Sequence, residues 1–133
     1  MTYWLDTNTC IRYLNGRSPQ IKNHLEALGP ADVCLCAIVK AELAYGAARS
    51  QDPVQTMARI ATFVAPFISL PFDDACVPAY GSIRSELGRV GRPIGPNDLM
   101  IAAIAVTHGL TLVTHNTREF ERVVDLSLAD WEG

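Results

Sequence analysis

Asp98 stands where a folded chain ordinarily avoids charge. It opens the run Pro96-Asn97-Asp98-Leu99-Met100-Ile101-Ala102-Ala103-Ile104-Ala105-Val106, and a helix with apolar residues on all faces belongs in a protein interior. An ionised Asp carried inside with it costs several kcal/mol unless it is hydrogen-bonded, paired or bound to a cation. Two more carboxylates occupy similar ground. Asp6 directly follows the apolar triplet Tyr3-Trp4-Leu5, and Glu42 lies among Ile38, Val39, Leu43 and Ala47, which recur at helical spacing. Each has an ordinary reading: Asp6 with Thr7-Asn8 as a turn and cap, Glu42 as a solvated helix position, Asp98 as an N-cap. The sharper reading brings them together. Carboxylates in one pocket repel and raise one another's pKa unless a cation intervenes, and an all-oxygen ligand set suits Mg²⁺ or Mn²⁺.

Convergence of residues so far apart requires a topology that delivers them to one edge. Tyr3-Trp4-Leu5 reads as a strand ending at Asp6, with Thr7-Asn8-Thr9 capping a helix over Cys10–Leu14 that stops at Asn15-Gly16. Further helices are expected over Pro19–Leu28, from Ile38 to about Ala48, after Asp52-Pro53 (Val54, Met57, Ala61 and Val64 as its apolar positions), and over about Asp74–Arg89 with Val77, Tyr80, Ile83, Leu87 and Val90 along one face. Val33–Cys36, Phe67–Leu70, Thr111–Thr114 and Leu126–Leu128 read as strands, Gly91–Pro96 as a rigid loop, and Asn116–Val123 as a short helical turn. Strands alternating with helices predict an α/β fold with a mostly parallel sheet covered on both sides. In such a sheet, sites form beyond the carboxyl ends of strands. Asp6 and Thr114-His115-Asn116 should reach that edge, with the start of the Asp98 helix packed nearby. Asn116 and Glu119 have an alternative as plain turn and surface residues.

Size and composition bound the answer. At 133 residues the chain is expected to form one domain, spanning 1–133. The run Leu99–Val106 falls far short of the ~20 apolar residues of a membrane span, and Met1–Asp6 lacks a basic n-region, so the cytoplasm is the expected location. Cys10, Cys34, Cys36 and Cys76 form no Cys-x-x-Cys pair and read as buried free thiols. A net charge of −3 argues mildly against a general nucleic-acid binder. Nine of the eleven bases are Arg, however, and Arg suits bidentate phosphate contacts.

Other chemistries find less support. His24, His108 and His115 are scattered, with no nucleophile motif beside them. Asp73-Asp74 reads as a helix start, and Gly91-x-x-x-Gly95 lacks the Lys-Ser/Thr of a phosphate-binding loop. Asp6-x-Asn8 after a strand is reminiscent of the aspartyl nucleophile of haloacid-dehalogenase phosphatases, but Lys22 and Lys40 are poorly placed for that reaction.

Four segments carry a resemblance. Asp6-Thr7-Asn8 after an apolar strand, Ala41-Glu42-Leu43-Ala44-Tyr45-Gly46, Pro93-Ile94-Gly95-Pro96-Asn97-Asp98-Leu99-Met100-Ile101-Ala102-Ala103, and Leu112-Val113-Thr114-His115-Asn116-Thr117-Arg118-Glu119-Phe120 fall in the order of a PIN domain. More narrowly, they resemble the VapC toxin ribonucleases of bacterial toxin–antitoxin pairs, over essentially the whole chain to Asp130-Trp131. The resemblance implies a three-layer α/β/α sandwich, RNA cleavage dependent on a divalent metal, inhibition by a VapB-type antitoxin, and a homodimer. It maps the core acidic triad onto Asp6, Glu42 and Asp98. Asn116 stands where many relatives carry Asp or Asn, with Glu119 as the nearest further carboxylate for a second ion. The branch with Arg-Glu-Phe in this place, which the chain is similar to, is associated with cleaving initiator tRNA in its anticodon loop.

These expectations define a mechanism. Asp6 and Asp98 would hold Mg²⁺ or Mn²⁺ directly or through water, with Glu42 completing or orienting the shell, and the ion lowers the pKa of a bound water and stabilises charge on the scissile phosphate. Glu42 would accept the water's proton, and Arg84, Arg89, Arg92 and Arg118 would contact phosphates. The alternative class is a PIN-like domain that binds RNA or a partner without catalysis.

Overall fold

The computed structural model describes residues 2–133; Met1, where the expected span begins, lies outside them. The order is β1 (Tyr3–Leu5), α1 (Thr7–Leu14), α2 (Pro19–Ala27), β2 (Val33–Cys36), α3 (Ala37–Ala48), α4 (Pro53–Val64), β3 (Ile68–Leu70), α5 (Val77–Arg89), α6 (Pro96–His108), β4 (Thr111–Val113), α7 (Thr117–Phe120) and β5 (Ser127–Ala129). All four strand pairings are parallel, in the spatial order β3-β2-β1-β4-β5. Parallel strands need crossover helices, which cover the sheet on its two faces, and the result is the α/β/α sandwich expected from the sequence.

The order places a switch point at the centre. From β1 the chain winds outward through β2 and β3, then crosses back to the other side of β1 for β4 and β5. A crevice therefore opens between the carboxyl ends of β1 and β4, the place where ligands bind in open α/β sheets. Leu5 is in register with Val113 there, and the Asp6 N–H donates to the Val113 carbonyl at 3.2 Å.

Packing explains why α6 is apolar all round. Ile101, Ala102, Ala103, Ile104 and Ala105 are buried, together with Trp4, Leu5, Leu35, Leu112 and Val113 of the sheet. Small side chains let α6 approach closely. The helix ends at Gly109, whose φ of +64° only glycine adopts freely, and the Leu110 N–H closes it on the Ala105 carbonyl at 2.9 Å. The four cysteines are buried free thiols, as expected.

Several boundaries and faces differ from the expectation. α1 begins at Thr7, three residues early, because Asp6 itself is the cap: its Oδ1 accepts the Thr9 N–H at 2.8 Å. α5 begins at Val77 after a 3₁₀ turn over Asp74–Cys76, since Pro78 supplies no N–H and is best tolerated in a first turn. α7 closes at Phe120, well before Val123. On α4 the inward residue is Ile60, flanked by Phe63, while Val54 and Met57 are exposed. Phe63 decides that phase by stacking on Tyr13 of α1 and meeting Phe67 edge-on, because ring contacts outweigh a valine at the helix mouth. On α5, Leu87 is buried and Tyr80 and Ile83 are half-buried, whereas Val77 and Val90 face outward. No helix among the described residues is long and apolar enough to cross a membrane.

Candidate metal centre

Four elements bring carboxylates to the crevice. Asp6 caps α1 directly after β1, Glu42 lies midway along α3, Asp98 is in the first turn of α6, and Glu119 is in α7 just beyond β4. Asp98 feels all of the others. Its pKa is raised to about 7, first by burial, then by its hydrogen bond to Glu119, then by the charges of Glu119, Glu42 and Asp6. Asp6 is 6 % exposed. Burial pushes its carboxyl up as well, opposed by hydrogen bonds from Thr114 and Thr9 and reinforced by the Glu42 charge. Asp6, Glu42 and Asp98 thus stand at one edge of the sheet, and Glu119 joins them.

Each carboxylate is held by neighbours. The Thr7 hydroxyl donates to Glu42 Oε1 at 2.5 Å, and the Asn97 amide to Glu42 Oε2 at 3.4 Å. Asn116 Nδ2 donates to Glu119 Oε2 at 2.9 Å. That bond, joined by others from Asp98 and the Gly95 N–H and by the Arg122 charge, holds Glu119 below the ordinary glutamate range against the cost of burial. Asn116 is therefore a donor to the fourth carboxylate. Thr114 fixes this corner: its Oγ1 accepts the Asn116 N–H at 2.9 Å, while its own N–H reaches the Ala129 carbonyl of β5.

The two carboxyls are pulled in opposite directions: burial and its acidic neighbours push Asp98 up to about 7, whereas the Asn116 amide holds Glu119 below its ordinary range. Among the described residues, no three Asp, Glu, His or Cys side chains stand at the mutual spacing of direct metal ligands. Of the two modes the sequence reading allowed, direct or through water, this spacing suits the second. The donors are nonetheless all hard oxygens, and carboxylates that raise one another's pKa are neutralised by a cation as readily as by protons. Mg²⁺ keeps several waters and takes one or two carboxylates directly, so the set fits a hydrated divalent ion.

The arginines fare unevenly. Arg89 is paired with Glu86 at 2.6 Å on the exposed face of α5, and Arg84 donates to the Tyr80 hydroxyl one turn away. Arg92 and Arg118 are exposed or nearly so, the latter beside Glu119 in α7. Sequence reasoning gave Thr7 only a capping role, brought Thr114 to the sheet edge without a partner, and assigned Asn97 and Arg122 no role of their own, although each is within three residues of an acid or amide it had singled out. Adjacency was the available signal for them; the direction of each side chain was not.

The PIN domain family model matches residues 3–126. The chain is 41 % identical over 131 residues to the tRNA(fMet)-specific endonuclease VapC of Shigella flexneri, with 98 % of each chain covered. It is 37 % identical over 133 residues to ribonuclease VapC2 of Rickettsia felis, with 99 % of each covered. Among solved structures it resembles VapBC2 of Rickettsia felis bound to a promoter DNA fragment (TM-score 0.92, 36 % identity, 98 % of this chain and 99 % of that one) and DNA-bound VapBC of Salmonella typhimurium (TM-score 0.92, 37 % identity, 98 % of each). The chain belongs to the PIN-domain family and, within it, to the VapC ribonucleases.

Proposed function

We propose that this chain is the toxin of a VapBC-type toxin–antitoxin pair, an endoribonuclease that uses Mg²⁺ or Mn²⁺ to cleave tRNA in the cytoplasm. The anticodon loop of initiator tRNA is the proposed target, in keeping with the activity named for the Shigella flexneri relative. The observation that carries the reading is the meeting of carboxylates from four elements at the sheet's switch point, where the Asp98 carboxyl is driven up to about 7 by burial and the others. Covalent phosphatase chemistry lacks its lysine: neither Lys22 nor Lys40 is among the groups that act on Asp6.

In this reading Asp6, Asp98 and Glu42 hold the cation, with Glu119 and its partner Asn116 as the place for a second. The cation supplies an acidified water and charge stabilisation at the scissile phosphate. The chain's own part is positional. Thr7 and Asn97 hold Glu42 so that a free carboxylate lone pair takes the proton of the attacking water. In-line attack then leaves a 5′-phosphate and a 3′-hydroxyl, the leaving oxygen taking its proton from solvent. Arg84, Arg92 and Arg118 contact backbone phosphates, which position RNA without reading it, while unpaired loop bases carry the specificity. Arg89 joins them only by giving up Glu86.

The partners follow. A VapB-type antitoxin blocks the site, consistent with the VapBC assemblies to which the chain is similar. A homodimer covers apolar side chains left open on the surface, Val77 and Val90 of α5 and Tyr45 of α3. Light scattering should give twice the chain mass, and a monomer at micromolar concentration removes the dimer.

The deciding experiment incubates the purified protein with total tRNA and Mn²⁺, followed by end-mapping. One dominant cut is expected, in the anticodon loop of initiator tRNA, with a 5′-phosphate on the downstream fragment. Intact tRNA, or the same fragments in EDTA, overturns the proposal.

A further inference from the structure

Arg122 lies just beyond α7 and is half-buried. Its Nη1 donates to the Pro93 carbonyl at 3.2 Å, and its Nε is buried without a hydrogen-bond partner among the described residues. Pro93 belongs to the Gly91–Pro96 loop that delivers Asn97 and Asp98. Arg122 therefore connects two chain segments 29 residues apart, one ending in Asp98 and the other carrying Glu119.

Both segments need an outside hold. α7 is a single four-residue turn, too short to be stable by itself. The loop contains Pro93 and Pro96, which donate no backbone hydrogen bonds, and Gly95, which adds no side chain. Arg122 ties the turn to the loop through the Pro93 carbonyl, without drawing on the carboxylate that a cation would engage.

We infer that Arg122 is a positioning residue: by bonding the Pro93 carbonyl from the end of α7, it fixes the spacing of Glu119 and Asp98 at which a divalent cation is held. This rests on the metal-dependent reading above. Arg122 is also a positive charge facing Glu119, which by itself opposes a cation. The two effects on cation binding have opposite signs, and the Arg122→Met variant reads which of them prevails.

The test is calorimetric titration of the full-length protein with Mn²⁺ in the absence of RNA, for wild type, Arg122→Met and Arg122→Lys, with thermal melts in EDTA as the fold control. Methionine keeps the packing stem and removes charge and donors. It should weaken Mn²⁺ binding about tenfold or more, the size usual for losing an outer-shell partner. Lysine retains a charge and a donor for Pro93 and should bind within about threefold of wild type. In an E119Q background, adding Arg122→Met should weaken binding no further. Unchanged or tighter Mn²⁺ binding by Arg122→Met overturns the role, as does a full additional loss in the E119Q background or a weakening matched by an equal fall in EDTA melting temperature for both variants. Wild type that neither binds Mn²⁺ nor cleaves tRNA overturns the nuclease reading itself. Wild type that does both, alongside an unaffected Arg122→Met, overturns only Arg122.

Discussion

Asp98→Asn should slow tRNA cleavage by at least about 100-fold, ~2.7 kcal/mol of transition-state stabilisation, while leaving the metal-free protein at least as stable as wild type. The two halves of this expectation come from one fact. Asp98 sits at the mouth of a buried helix facing Glu119, Glu42 and Asp6, and its carboxyl is driven up to about 7 by burial and those neighbours. A residue selected for packing would not be placed there, because its ionised form is disfavoured by its surroundings. Asparagine has nearly the same shape and no charge, so it relieves that repulsion while removing the charge that the proposed cation site needs. Substitutions that raise stability at the expense of activity are the signature of a site kept strained for function. Single-turnover cleavage of tRNA with Mn²⁺, paired with melts in EDTA, reads both quantities. Wild-type cleavage by Asp98→Asn would remove this carboxylate from the chemistry.

The second large effect is on pH and metal together. In the unfolded chain Asp98 loses its proton near 3.8; in the folded chain it holds it to about 7. Between those values the native state binds more protons than the unfolded one, so stability falls as pH rises across this window and levels off above it. Asp6, also raised, acts with the same sign. Glu119 is lowered, so its contribution has the opposite sign and is lost only as pH falls below the ordinary glutamate range. From about pH 5 to 7 the Asp98 effect dominates. Solvent around a half-buried carboxyl limits the total to on the order of 1–2 kcal/mol. Melting temperature in EDTA should therefore decline from about pH 5 to 7.5, and Asp98→Asn should flatten that decline. Saturating Mn²⁺ should reverse it, since cation and proton compete for the same oxygens. A melting temperature in EDTA that rises over this range would contradict the assigned ionisation.

Much of this was readable from residue types, and the unread part has physical causes. The strand before Asp6 and the apolar run after Asp98 were legible because hydrophobic periodicity and burial leave a pattern in sequence. The approach of Asp6, Glu42 and Asp98 to one edge followed from one rule about parallel sheets, and the switch point between β1 and β4 is where they meet. The phase of α4 was not legible. Val54 and Phe63 are both apolar, and only the tertiary stack of Phe63 on Tyr13 decides which of them turns inward. The start of α1 fell three residues late because Thr7, Asn8 and Thr9 are all residues that suit a cap, and only the backbone course brings the Thr9 N–H to Asp6 Oδ1. The bonds made by Thr7, Thr114 and Arg122 were not legible because hydrogen-bond direction depends on backbone course, which residue type does not encode.

The double assignment of Asp6 narrows what evolution can do at the position. The side chain must be short enough to reach the Thr9 N–H from the end of β1 and, under the proposed metal-dependent function, must carry a negative charge toward the crevice. Asparagine meets the first demand and fails the second; glutamate carries the charge but is a methylene too long to fasten the helix in the same way. Alanine forfeits both, adding about 1 kcal/mol of helix-fastening loss to the loss of a ligand. Inactivity of the Asp6→Ala protein would thus be ambiguous, whereas an inactive but well-folded Asp6→Asn protein would isolate the charge. Drift at this position is closed off from two independent directions, one architectural and one chemical.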